Sequence, residues 1–381
     1  MTTVLPYSRQ DIADVDVAAV AEALRAPLLT QGPMVDQFEA DLATFVGAAY
    51  AVVFNSATAA LHAAYAVLGV GPGRSVLTSP ITFVATANAA LYLGGGVRFA
   101  DVNPTTGLID PDTADDRADP TVRVLAPVHF GGEVAPLEVL AAIAEARHWT
   151  VVEDASHALG ATYRSGGGAE HRVGACDHST MCCFSFHAVK QITTGEGGAV
   201  TTNDEELARR LRMFRSHGIT RDRSRMGQFD GPWYYEQQEL GYNYRLTDFQ
   251  CALGRSQLPR LPEWIAKRAR LAALYEARLA GVDGVVPLRR PKGSVGAHHL
   301  FVVRVPPADR LRIFETMSAQ GIGVNVHYIP VYRQPYHRAN GPANVLRPGS
   351  EEYYRSAITL PLFHSMTEAD VDRVVTALER A

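Results

Sequence analysis

Between about residues 37 and 250, short apolar runs alternate with segments whose hydrophobic residues recur every three or four positions. A chain patterned in this way buries its runs as strands of a parallel or mostly parallel sheet, with helices covering the faces. The strand candidates are 75–79, 97–101, 122–128, 150–154, 181–186 and 199–202. Most are apolar along their length, as strands covered on both faces should be. Met34, Phe38, Leu42 and Phe45 mark one amphipathic helix, and Leu137, Leu140 and Ile143 mark another. The expected fold class is α/β, with a large domain built on a mostly parallel, mixed sheet flanked by helices.

Composition breaks after Gly254, where residues 258–279 read as one long helix rich in Ala, Leu and charge. Beyond it lie a strand candidate at 300–305, a helix at 308–320 and a closing helix at 367–381, the pattern of a smaller α+β unit. The expected division is a large domain with an N-terminal arm over residues 1–254 and a small domain over 255–381, which suits a chain of 381 residues. Two aperiodic stretches rich in Gly, Ser and Arg, 164–174 and 220–231, are expected to be exposed loops or parts of an interface.

Hydrophobic residues make up 47% and charged residues 20% of the chain, an ordinary globular balance that excludes disorder and coiled coil. The formal net charge of -4 and the lack of a basic run argue against a nucleic-acid partner. The opening MTTVLPYSRQDIADVD has neither the charged start nor the apolar centre of a signal peptide, and no apolar run is long enough to span a bilayer. The expected location is the cytoplasm, with no membrane partner. Cys176, Cys182, Cys183 and Cys251 fit neither a zinc knuckle nor a secreted disulfide framework, and no metal is expected although His171, Cys176 and His178 lie close in sequence.

Three constellations carry chemistry. Asn55-Ser56-Ala57-Thr58 follows an apolar run and opens a helical pattern ending near Leu68. Its free N–H groups and the helix dipole suit a phosphate, although Ser56 or Thr58 could equally be a helix cap. Asp154 closes the apolar strand candidate in VVEDASHALG, the position at which open α/β sheets place ligands, and is a candidate cation partner. Lys190 stands between an apolar strand and a Gly-rich turn in FSFHAVKQITTGEGG. Held among aromatic and small residues, its amine would lose hydration and become a nucleophile toward aldehydes; at an open strand end it would simply point to water. A phosphate site, an acid for a pyridinium nitrogen and an amine for an aldehyde are together the requirements of pyridoxal 5′-phosphate (PLP).

Along nearly its whole length the chain then resembles a known group. LLTQGP from Leu28, FNSATAALH from Phe54, SPITFVATAN from Ser79, EDASHALG, FSFHAVKQITTGEGGAV, FRSHGI from Phe214, GYNYRLTDFQCALG from Gly241 and VHYIPVY from Val326 are similar to motifs of the DegT/DnrJ/EryC1/StrS sugar aminotransferases, which are fold-type I PLP enzymes. PITFVATAN, DASHALG, SFHAVK and GPWYYEQQELGYNYRLTD resemble most the members of the pseudaminic-acid pathway, which aminate C4 of a UDP-linked 4-keto-6-deoxy N-acetyl amino sugar with an amino acid, glutamate being the expected donor.

The resemblance implies that Lys190 anchors PLP and shuttles a proton, that Asp154 faces the ring nitrogen, that Phe83 stacks on the ring and that His157 stands near its hydroxyl. It implies that Ala57, Thr58 and Ser185 hold the phosphate, joined by Asn243 from a neighbouring subunit, so that a homodimer with shared sites is expected. Thr30, His327 and Tyr328 fall in motifs lining the sugar-nucleotide pocket, and Arg215, His217 and Arg245 are candidates for the diphosphate or the donor's carboxylate. Alternatives are a relative acting on a dTDP- or GDP-linked keto sugar at C3 or C4, and a PLP-dependent sugar dehydratase or deoxygenase. Lys190 weighs against the last, because those relatives carry histidine in its place. The stretch 164–178 is longer than the shortest family pattern.

Overall fold

The computed structural model describes residues 4–116, 119–341 and 347–381. Its first 202 residues contain β1 (Tyr50–Phe54), β2 (Ser75–Thr78), β3 (Gly96–Phe99), β4 (Val122–Ala126), β5 (Thr150–Asp154), β6 (Thr162–Arg164), β7 (Glu170–Arg172), β8 (Met181–Ser185) and β9 (Gly198–Thr202). Seven of them form one sheet in the order β1-β9-β8-β5-β4-β2-β3. Every pairing from β8 through β3 is parallel, whereas β9 runs antiparallel to both β1 and β8.

Alternate residues of each strand feed opposite layers, as the two-residue period requires. Helix α1 (Asp14–Arg25) lies in the arm, and Val52, Phe54, Val76, Val152, Met181 and Cys183 join one buried cluster with helix α3 (Ala57–Val67). Ala51, Val53, Cys182, Phe184 and Ala199 join the other with helix α2 (Pro33–Val46). With both faces covered, the strands are apolar without alternation. Helix α2 starts with Pro33, whose missing N–H costs nothing there, and stops at Gly47 with φ +85°. Asp248 accepts hydrogen bonds from the N–H groups of Gly32 (2.9 Å) and Met34 (3.1 Å), tying this start to helix Asp248–Gln257.

The C-terminal part is a three-stranded antiparallel sheet, Val286–Pro287, Phe301–Arg304 and Ala357–Leu360, packed with helices Arg310–Ala319 and Glu368–Glu379. The boundary expected between residues 254 and 255 falls inside helix Asp248–Gln257. Helix Leu261–Leu279 then spans both parts: Leu261 and Trp264 belong to the cluster beside α2, and Leu271, Tyr275 and Leu279 to the C-terminal core. The arm crosses as well, since Leu5 packs in the C-terminal core and exchanges hydrogen bonds with Gly321 and Gly323.

The stretch 164–174, expected to be a loop, instead carries half of a hairpin, with β6 paired to β7 on one side and to Ser294–Val295 on the other. The pattern was hidden because each strand is only two or three residues long. Here His171 pairs with Asp177 (2.8 Å) and His178 with the Tyr163 hydroxyl (2.8 Å). Among the described residues no helix is long and apolar enough to cross a membrane.

β1, β2, β4, β5 and β8 all end at the same edge of the sheet. The segments leaving those strand ends converge there, as expected of a ligand crevice in an open α/β sheet.

Candidate active site

A cavity of about 550 Å³ opens at that edge. Its walls are Ser56, Ala57, Thr58 and Leu61 after β1, Thr82, Phe83, Ala85 and Thr86 beyond β2, Val128 beyond β4, Asp154, Ser156 and His157 from β5, and Ser185, His187, Val189, Lys190 and Glu196 from β8 onward. Residues 325–328 close it from the C-terminal part, together with Tyr7 of the arm.

At one end α3 begins. Ser56 is its N-cap, the Oγ accepting from the Ala59 N–H at 3.1 Å, while Ala57 and Thr58 of the first turn face the cavity. Ser56 therefore caps the helix, and Ala57 and Thr58 line the cavity at the end where the helix dipole favours an anion. Gly198 lets β9 pass this turn, because a Cβ there would lie 2.6 Å from the Ala57 nitrogen.

Asp154 is buried and fixed by three donors. Thr86 Oγ1 donates to Oδ2 at 2.6 Å, and the Ser156 N–H and Oγ donate to Oδ1 at 3.1 and 2.6 Å. Thr86 is held in turn by the Thr82 hydroxyl at 2.7 Å.

The sequence contains only three lysines, and two lie outside this site: Lys267 pairs with Glu263 at 2.8 Å, and Lys292 is exposed. Lys190 lines the cavity. Burial pushes its amine down to about 8, the negative charge of Asp154 opposing part of the drop. About one amine in ten is then neutral at pH 7, against fewer than about one in a thousand for an ordinary lysine.

Glu196 and His187 stand at the mouth of the cavity, and the wall formed by His157, His327 and Tyr328 is hydrogen-bonded. His157 Nδ1 accepts from the Gly131 N–H at 3.3 Å, which leaves Nε2–H to donate to the Tyr328 hydroxyl at 3.2 Å. Burial drives His157 well below the usual histidine range and His327 to about 4, and it raises the Tyr328 phenol. His327 Nδ1 lies 2.9 Å from Thr359 Oγ1. Phe83 keeps 59% of its surface exposed, a large open ring on the cavity wall.

An anion-accepting helix start, an anchored acid, a partly neutral lysine and an uncovered aromatic ring form a donor set that fits PLP. The profile of the DegT/DnrJ/EryC1/StrS aminotransferase family matches residues 10–379. The chain belongs to that family. It is 37% identical to the Bacillus subtilis spore coat polysaccharide biosynthesis protein SpsC, over 98% of this chain and 96% of that one. It is 34% identical to a UDP-4-amino-4,6-dideoxy-N-acetyl-beta-L-altrosamine transaminase of Campylobacter jejuni, over 98% and 96% of the two chains. Among solved structures it superimposes on Helicobacter pylori PseC, an aminotransferase involved in the biosynthesis of pseudoaminic acid, with a TM-score of 0.91 at 30% identity and 99% coverage of both chains. The PLP form of a putative sugar aminotransferase, Spr1654 of Streptococcus pneumoniae, also gives 0.91, at 27% identity over 99% of this chain and 98% of that one.

The fold of this sugar aminotransferase gathers Ala57, Thr58, Phe83, Asp154, His157, Ser185, Lys190, His327 and Tyr328 on one cavity. Arg215, His217 and Arg245 line a separate groove of about 440 Å³ with Gln31, Arg209, Arg212 and Arg221. Thr30 is exposed and its backbone bridges to Thr247; Asn243 is also exposed, and its backbone bridges to Ser216. Arg215 is committed within the chain, donating to Glu39 Oε1 and to the Val53 carbonyl, both at 2.7 Å, while Arg212 meets Glu39 Oε2 at 3.0 Å. Arg245 forms no ion pair among the described residues. Sequence reasoning had not singled out Thr86, Ser156, Tyr7 or His299. Thr86 and Ser156 stand inside SPITFVATAN and EDASHALG as small hydroxyl residues, and the signal for His299 is a histidine pair ahead of an apolar strand.

The two arginines should separate experimentally. Arg215→Ala leaves the buried Glu39 short of a partner and should cost about 2–4 kcal/mol in denaturant unfolding. Arg245→Ala should stay within about 0.5 kcal/mol of the parent. Equal stability losses would contradict this assignment.

Proposed function

We propose that this sugar aminotransferase uses PLP on Lys190 to move an amino group from glutamate to C4 of a UDP-linked 4-keto-6-deoxy N-acetyl amino sugar. The observation that carries the reading is the convergence of the Lys190 amine, the Asp154 carboxylate and the α3 start on one cavity. The substrate class is supported by the altrosamine transaminase at 34% identity and by the fold shared with PseC.

When bound, PLP supplies an aldehyde for amine exchange and a protonated ring that draws electrons from the substrate carbon. Lys190 would hold the group covalently and, once released, would take up and return a proton at the substrate carbon. Its lowered affinity for protons suits both tasks, since a permanently charged ammonium could neither attack a carbonyl nor take up a proton. Asp154, oriented by Thr86 and Ser156, would hold the ring nitrogen and its proton. The His157–Tyr328 pair would hold the ring hydroxyl, Phe83 would pack on the ring, and Ala57, Thr58 and Ser185 would hold the phosphate; all six line the cavity. His327 and Tyr328 meet the sugar, and the Arg245 and His217 groove takes the diphosphate or the donor's carboxylate.

The same reading includes a homodimer. Trp233 and Leu240 are 71% and 77% exposed and Tyr92 is 58% exposed, apolar surface that a second subunit would cover. Asn243 is exposed and does not line the cavity of its own chain, consistent with service to the partner's phosphate.

The substrate is tested with a panel of UDP-, dTDP- and GDP-linked keto sugars and glutamate, with products read by mass and NMR. Amination at C4 of the UDP-linked sugar is expected to give the highest kcat/KM; preference for another nucleotide or carbon would replace this substrate. Shared sites are tested by co-expressing Lys190→Ala and Asn243→Ala subunits. Each variant alone should be nearly inactive, whereas a hybrid dimer keeps one intact site and should recover activity. No recovery from hybrids of confirmed composition would show that the sites are not shared.

A further inference from the structure

His299 lies outside the motifs that mark the resemblance in the sequence, yet its Nε2 is 3.5 Å from the Lys190 amine, within reach of a hydrogen bond to that nitrogen. The ring is 2% exposed and packs on His157, with centroids 4.4 Å apart. Its other nitrogen, Nδ1, is buried without a hydrogen-bond partner among the described residues.

The backbone around it is built to hold this position. Gly131 O accepts from the N–H groups of His299 (2.8 Å) and Leu300 (3.0 Å), and Gly132 O accepts from Ala297 (2.9 Å). Gly132 has φ +94°, and a Cβ on it would fall 2.9 Å from the nitrogens of His298 and His299, so two independent constraints demand glycine there. Arg268, fully buried on helix Leu261–Leu279, donates to the carbonyls of His298 (3.3 Å), His299 (3.5 Å) and Leu362 (2.8 Å). A buried cation held by carbonyls with no acid is costly, and packing alone does not call for it.

The three histidines around Lys190 are not equivalent, and His327 is engaged by Thr359 at Nδ1 and by Asn325 at Nε2. His157 is engaged at both nitrogens, by Gly131 and Tyr328. Among the described residues the His299 ring has only the lysine as a hydrogen-bond partner. It is kept neutral by burial and by the positive charges of Lys190 and Arg268, so its Nε2 lone pair is available to an N–H of the amine.

We infer that His299 is a positioning residue for Lys190: its Nε2 accepts a hydrogen bond from the lysine amine whenever that amine is free, and aims it back at the reacting carbon. The inference rests on the reading of Lys190 as the reacting amine. A released lysine has four rotatable bonds and would spread over many rotamers without a fixed acceptor. During the proton transfer Lys190 passes through its ammonium form inside the cavity, with Asp154, His157, His327 and His299 around it. Asp154 supplies the nearby opposite charge, and among the neutral groups His299 supplies the lone pair that replaces water.

The test compares the full-length enzyme with His299→Phe, which keeps the volume and removes the acceptor, and His299→Asn, which keeps an acceptor on a shorter arm. Each is purified with its cofactor, converted to the amino form with glutamate and freed of excess donor. Lys190 is then labelled with trace acetic anhydride across pH and quantified by mass spectrometry. The parent should show a labelling inflection near 8. His299→Phe should move it down by about one unit and lower kcat by about 10- to 100-fold, with KM for the keto sugar within about twofold, while His299→Asn should recover part of both effects. Identical inflections in all three proteins, with thermal unfolding unchanged, would overturn the role of His299. An inflection near that of an ordinary lysine in the parent, with no visible absorbance from the loaded enzyme, would instead overturn the reading of Lys190 itself.

Discussion

The lysine amine proposed to react at neutral pH cannot be left in water, and the site is arranged to dehydrate it. Dehydration at the carboxyl ends of the strands outweighs the attraction of Asp154, so the amine settles near 8 rather than at its ordinary 10.5. Asp154 itself survives burial because Thr86 and Ser156 satisfy its oxygens. The histidines nearby are neutral for the same reason that the lysine is weakened, so no second cation competes for the acid.

Holding those groups together takes the whole chain. The parallel strands bring four loop ends and the start of α3 to one edge, and the C-terminal part closes the cavity with residues 325–328. Helix Leu261–Leu279 makes this closure rigid by packing into both cores, and Arg268 anchors the His298–His299 turn to it. The arm completes the tie through Leu5, placing Tyr7 on the cavity wall.

Most of this was legible in the sequence where the signal was local. The strand expected at 150–154 is β5 residue for residue, because a run of mostly buried positions has nothing to interrupt it. The helix starting after Ser56 was equally clear, since a hydroxyl cap ahead of a small-residue run is a local instruction. What escaped depends on distant partners. Two-residue strands such as Ser294–Val295 are too short to carry a period. Nothing near Arg215 in the sequence announces that Glu39 will claim it across the fold. His299 acquires meaning only when Gly131, Gly132 and Arg268 bring it to a lysine 109 positions away.

The central claim is that Lys190 alone carries the cofactor, and a chain with three lysines makes this directly measurable. Borohydride reduction of the PLP-loaded enzyme, followed by digestion and peptide mass spectrometry, should place the reduced pyridoxyl phosphate on the peptide containing Lys190 and on no other. Its appearance on Lys267 or Lys292, or a loaded and active enzyme with no modified peptide at all, would contradict the account.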